Sequence, residues 1–184
     1  MVALLMAGKA QATLFDRGNG LIYDDVLNIT WTQNANLCEA LSNCIPGPGG
    51  SMTWYNANLW AANLVFDGFS DWRLATISST SPTLTPTDCS TATAAACAAS
   101  GNELGYMYYY NMDGGGNNTG TQTVNGINLI NVQSGYWSGT EFNTAGAWVF
   151  AFSSGGQGGV NRDEIRAAWA VRPGDSVGYP SRDR

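Results

Sequence analysis

The chain has 184 residues and a mass of 19.5 kDa, which suits one domain, and its 44% hydrophobic content supplies a core and excludes wholesale disorder. Charged residues make up only 12%, with a net charge of −6 and a pI near 4.3, a balance that excludes nucleic-acid backbones and anionic membrane surfaces as partners. The sequence has no histidine, which removes the commonest general base and the commonest zinc ligand.

Residues 1–12 contain the apolar run Val2-Ala3-Leu4-Leu5-Met6-Ala7 and end in Ala10-Gln11-Ala12, which fits the small-x-small rule of a signal-peptidase site. They read as a truncated export signal or as a first strand. Residues 13–31 alternate apolar pieces with Gly18-Asn19-Gly20 and Asp24-Asp25, predicting two short strands around turns. Residues 34–50 hold Cys38 and Cys44 and end in the breaker Pro46-Gly47-Pro48-Gly49-Gly50.

The clearest helix spans 51–64, with Ser51 or Thr53 as cap, Trp54, Ala57, Ala61 and Leu64 on one face, and Gly68 closing it. Residues 78–100 are rich in Ser, Thr, Ala and Pro, a long loop in which Cys89 and Cys97 would act as a staple. Residues 103–112, with Tyr106, Tyr108, Tyr109 and Tyr110, read as a short helix or a strand, and 113–120 as a Gly/Asn turn. From Ile127 the pattern is strand-like; Trp148, Phe150 and Phe152 alternate with smaller residues, 155–159 reads as a hairpin turn, and 167–172 as the returning strand. No stretch reaches the ~18 apolar residues of a membrane span. The sum is an α+β domain over 13–175, with one or two helices, short antiparallel strands, a C-terminal hairpin and a tail at 176–184. Close cysteine pairs, low charge and abundant small polar residues point to an oxidising, extracytoplasmic compartment, and no CxxC spacing marks a zinc or thioredoxin-like site.

Five ordered motifs carry a resemblance: Gly20-Leu21-Ile22-Tyr23-Asp24, Thr53-Trp54, Gly68-Phe69-Ser70-Asp71-Trp72-Arg73-Leu74-Ala75-Thr76, Tyr136-Trp137-Ser138-Gly139-Thr140-Glu141, and Ala168-Trp169-Ala170-Val171-Arg172-Pro173-Gly174. The chain resembles the Lcl-C family, named for the C-terminal domain of a collagen-like bacterial adhesin, over about residues 14–175. That resemblance implies a C-type-lectin-like fold related to the formylglycine-generating enzyme. Ala75 stands where the family motif usually has Pro, and the reactive cysteine pair of the formylglycine-generating relatives has no match. Several relatives carry a Cys-bounded insert like Cys89 to Cys97, whereas Cys38 to Cys44 is less usual. Four cysteines allow three connectivities; Cys38–Cys44 and Cys89–Cys97 are favoured because short loops meet most easily.

Where relatives run to Asn, Lys and Tyr, this chain has Gly158-Gly159-Val160-Asn161-Arg162-Asp163-Glu164-Ile165-Arg166-Ala167. Altered adenines in Asn codons give Gly, Val, Asp, Ile, Ser or Ala, much the set found here. The stretch is similar to the variable segments of diversity-generating retroelement proteins; ordinary drift in a surface hairpin is the alternative.

Trp54, Trp72, Trp137 and Trp169 lie within the motifs and read as core rather than as sugar-stacking platforms. Trp148 and Phe150 are either core or exposed anchors of a ligand face that continues through Ser154, Gln157, Asn161, Asp163 and Ile165. Asp71 and Arg73 read as a structural ion pair and turn cap, and Glu141 and Arg172 similarly, because a partly buried Arg in a sparsely charged domain needs a carboxylate. Glu39, Glu103, Glu141 and Glu164 show no glycosidase pairing along the sequence. Asp24-Asp25 and Asp113 to Asn118 offer oxygen ligands for calcium, but neither matches an EF-hand loop, so no cofactor is expected, calcium being the one alternative.

The leading expectation is a non-enzymatic, secreted or surface-displayed module that binds a cell-surface glycan or protein, its oligomeric state open. The competitors are a self-associating structural or matrix protein and an enzyme on the formylglycine-generating scaffold.

Overall fold

A computed structural model describes residues 13–45, 48–83 and 85–177; the segment 1–12, most of the 176–184 tail and Pro46-Gly47 lie outside the described residues. The chain is a mixed α+β structure, mostly strands in antiparallel sheets with few helices. The first stretch makes three strands rather than two: β1 (Leu14–Asp16), β2 (Leu21–Asp24) and β3 (Ile29–Thr32). Gly18, Asn19 and Gly20, all at positive φ, turn the chain between β1 and β2. The Asp24 carboxylate accepts the Val26 and Leu27 N–H groups in the turn before β3.

A single turn, α1 (Leu37–Ala40), and β4 (Ser51–Met52) lead to α2 (Trp54–Asn63). Of the two candidate caps it is Thr53 that is used, its hydroxyl accepting the Asn56 N–H. Trp54, Ala57, Trp60, Ala61 and Leu64 are buried, as the 3–4 spacing requires.

After β5 (Arg73–Leu74), the Ser/Thr-rich stretch contains α3 (Ala94–Ala99), and residues 103–112 resolve as α4 (Glu103–Tyr106) running into a π turn, Met107–Asn111. Asn102 caps α4 by accepting the Gly105 N–H at 2.8 Å. β6 (Gly120–Val124) and β7 (Ile127–Val132) form a separate hairpin, followed by β8 (Gly135–Glu141), β9 (Gly146–Ala151), β10 (Gln157–Asn161), β11 (Arg166–Ala167) and β12 (Ala170–Pro173).

The strands form one sheet in the order β1-β2-β3-β12-β5 and another in the order β10-β9-β8-β11-β4. The C-terminal hairpin differs from expectation. The turn falls at 152–156, closed by the Gly155 N–H on the Ala151 carbonyl, and the returning strand is β10 itself. Of the glycines in this stretch only Gly155 has positive φ; Gly158 and Gly159 are extended and pair with Val149 and Trp148. Residues 167–172 instead divide between the two sheets, β11 against β4 and β8, and β12 between β3 and β5.

All seven tryptophans are buried. The indole N–H groups of Trp54, Trp137 and Trp169 donate to the Ser138, Met52 and Thr32 carbonyls, so each large apolar surface is anchored by its one polar atom. Among the described residues no helix is long and apolar enough to cross a membrane. Disulfides join Cys38 to Cys44 and Cys89 to Cys97, with Cα atoms 4.8 and 5.2 Å apart.

Candidate binding surface

The turn between β8 and β9 and the end of β10 enclose a shallow groove of about 220 Å³, lined chiefly by Phe142, Asn143, Gly146, Gly159, Val160 and Asn161. The turn is held by the Asn143 side chain, whose Oδ1 accepts the Ala145 and Gly146 N–H groups at 2.9 and 2.8 Å. Phe142 packs edge-on against Trp148 at 5.1 Å and lies over two glycines. A Cβ at Gly146 would come within 3.2 Å of that ring, and one at Gly159 within 2.4 Å. The missing side chains are therefore what admits the ring.

Arg162 fastens this turn to the rest of the molecule. Its guanidinium stacks on Trp54 at 4.4 Å, donates to the Asn143 carbonyl at 2.8 Å and to the Gly146 carbonyl at 3.2 Å, and reaches the Tyr55 hydroxyl at 3.5 Å. Only 8% of the residue is exposed, and Glu141 supplies a counter-charge at 3.4 Å. Beyond it the Asn161 carbonyl and side chain accept the Glu164 and Asp163 N–H groups, a tight turn that leaves Asp163, Glu164 and Ile165 exposed. Glu164 pairs with Arg166 at 2.6 Å. With both arginines partnered, the surface carries no net positive charge; it offers amides, the Asp163 carboxylate and the half-exposed apolar faces of Tyr55 and Ile165.

The expected ligand face separates into three parts. Trp148 and Phe150 are core, at 7% and 1% exposure. The Trp148 N–H donates to the Thr83 carbonyl, and Phe150 packs against Tyr108 and Phe152, because the π turn and Phe142 cover the side of β9 that period-two alternation alone leaves open. These two are not exposed aromatic anchors. Gln157 is half-buried and tied inward, its Oε1 accepting from Asn102 at 3.0 Å, with exposed Ser154 in the turn nearby. Asn161, Asp163 and Ile165 gather at the opposite end of β10, about 13 Å from Gln157 at ~3.3 Å per residue. Phe142, Asn143, Tyr55 and Arg162 were not anticipated. The signal for Arg162 was available, since the reasoning applied to Arg172 holds for any arginine in so sparsely charged a chain.

The ion pairs exchange the partners expected of them. Asp71 binds Arg172, whose Nε lies 2.8 Å away and whose guanidinium stacks on Phe69 at 4.0 Å, while Arg73 binds Glu103 at 2.6 Å. The hydrogen bond from Arg172 holds the Asp71 carboxyl below its ordinary value. Asp24, fully buried, is pushed the other way by burial, partly offset by the Leu27, Asn111 and Val26 donors. Its oxygens are thus engaged within the fold. Asp113 lines a polar cavity of about 280 Å³ with Asn111, Gln122, Thr123 and Asn125, but among the described residues no three His, Cys, Asp or Glu side chains gather as metal ligands.

The chain matches the family model described as the Lcl C-terminal domain over residues 20–172, a span containing both sheets' central strands and the groove. No curated protein matches the chain.

Proposed function

The chain belongs to the Lcl C-terminal domain family, and from that premise we propose an adhesin-like recognition module, displayed outside the cytoplasm, that binds a glycan or protein without transforming it. The observation that carries this reading is the groove at Phe142, Asn143 and Asn161, rimmed by amides and exposed apolar surface and held on a stiff frame by Arg162. Such a surface suits a ligand met by amide hydrogen bonds and apolar contact, not a polyanion. Two disulfides and the absence of histidine support an oxidising location and a non-enzymatic role. On this reading the two sheets and α2 constitute a C-type-lectin-like domain.

A retroelement-diversified version of the same module is favoured by one observation. Residues 161 and 163–165 are exposed, so their identities can change without repacking the core.

The test is binding of the purified chain to glycan and cell-surface protein arrays, followed by Asp163→Ala and Ile165→Ala. Each is expected to weaken a detected interaction about tenfold, equivalent to ~1.4 kcal/mol, with unchanged thermal melting. Unchanged binding in both would remove this surface from recognition. Sequencing the gene's 3′ end across a population tests diversification: an invariant 160–168 segment rejects it.

A further inference from the structure

Among the described residues β10 is the outermost strand of its sheet, with β9 on one side and no strand on the other. Its hydrogen-bonding phase follows from the flanking bonds. The Ala151 N–H donates to the Gly156 carbonyl and the Arg162 N–H to the Ala145 carbonyl, so Gly158 and Val160 address β9 and the backbone groups of Gln157, Gly159 and Asn161 point outward. Apart from the Asn161 carbonyl, which accepts the Glu164 N–H, those outward groups meet no partner among the described residues. Natural edges are usually protected by Lys, Pro, a bulge or an inward-pointing charge. The run Gln157-Gly158-Gly159-Val160-Asn161 contains neither charge nor Pro, and pairs with β9 in continuous register.

We propose that this edge is a self-association surface, on which β10 of a second copy adds antiparallel about a two-fold axis through Gly159. In that register Gly159 faces Gly159 and Gln157 faces Asn161, with Gly158 opposite Val160 in the closer, non-hydrogen-bonded type of pair. The three outward N–H groups and the Gln157 and Gly159 carbonyls of each copy then find partners, and the Asn161 carbonyl, already bonded to the Glu164 N–H, accepts a second bond. The side chains favour a second copy over an arbitrary peptide. A Cβ at Gly158 would have nothing within 4 Å, an open space that the opposing Val160 fills, twice by symmetry.

A two-fold perpendicular to the sheet keeps corresponding faces on the same side. The two grooves beside Phe142 would therefore open in one direction, and a weak pairing would present two binding surfaces to a ligand carried on an extended surface. Pairing itself requires no ligand, so it stands or falls separately from the recognition described above.

The experiment is sedimentation velocity on the full chain from about 10 µM to 1 mM, with the Gly158→Lys variant beside it. Gly158 is extended and unobstructed, so the lysine is tolerated by the fold and places a charge against Val160 of the second copy. The expected result is a mass rising toward twice 19.5 kDa in the parent chain and a dimerisation constant at least about tenfold weaker in the variant. A second measurement on the unaltered chain is amide hydrogen exchange at both concentrations: the Gly159 and Asn161 N–H groups should slow as concentration rises. A chain monomeric throughout, association that Gly158→Lys leaves intact, or exchange at Gly159 and Asn161 that ignores concentration would each overturn the proposal.

Discussion

Replacing Arg162 by alanine removes the fastening between the β8–β9 turn, β10 and α2. The two hydrogen bonds from its charged head to the Asn143 and Gly146 carbonyls contribute about 1.5 kcal/mol each. The lower end of the range applies because the Gly146 carbonyl keeps the Phe142 and Asn143 N–H groups. Stacking on Trp54 in a largely desolvated position adds about 1 kcal/mol. Glu141, 41% exposed and 3.4 Å away, adds only a few tenths of a kcal/mol or about that. The expected loss is about 4 kcal/mol, which for a chain of this size lowers the melting temperature by roughly 8–16 °C. Calorimetry measures it directly. Arg162→Lys keeps a charge over Trp54 but cannot fork to two carbonyls, so it should lose about half as much. A loss below ~1 kcal/mol for alanine, or a lysine variant as unstable as the alanine one, would refute the assignment.

Adjacent glycines give a paired test: Gly159→Ala drives its Cβ into Phe142 and should cost about 1–3 kcal/mol and open the groove, whereas Gly158→Ala should be neutral or stabilising by ~0.5 kcal/mol, read by denaturant titration. Removing the Cys89–Cys97 bridge as a double serine variant frees a short loop and should cost about 2–3 kcal/mol, with faster amide exchange confined to 85–102. The two perturbed aspartates give pH dependences of opposite sign. Asp71, lowered by Arg172, contributes stability present above its ordinary value of 3.8 and lost as pH falls through its folded value, so Asp71→Asn should matter most near neutrality. Asp24, raised by burial, is progressively unfavourable as pH climbs from 3.8 through its raised value. Asp24→Asn should therefore gain on the parent chain with rising pH in thermal melts, and a flat difference would show that its burial penalty is already compensated.

What could be read along the chain was whatever local chemistry decides. α2 declared itself through Thr53 and the buried spacing from Trp54 to Leu64, and the strand character of 147–152 through alternation. The failures are non-local. Gly158-Gly159 has the composition of a turn, yet it is a strand, and Phe142, arriving from the β8–β9 turn, is what requires the missing side chain at Gly159. The Asp71–Arg172 pair joins residues 101 apart and the Tyr55–Arg162 contact residues 107 apart, with nothing in either neighbourhood to name its partner. Alternation leaves Trp148 open between core and exposed anchor for the same reason, since it states which residues share a face but not what covers it. The pairing of β11 with β4 and β8, and of β12 with β3 and β5, likewise depends on strands far away in sequence.

The position of β12 has a consequence for how the molecule comes into being. It is the last strand among the described residues, yet it lies inside its sheet, hydrogen-bonded to β3 on one side and β5 on the other. A nascent chain that has reached only Ala168 holds both neighbours with a vacant slot between them, so native closure of this sheet cannot occur residue by residue as synthesis proceeds. Closure of this sheet must wait for β12, and its contacts with β3, more than a hundred residues away in sequence, form late. Until β12 arrives, β3 and β5 each keep an unpaired edge facing that slot.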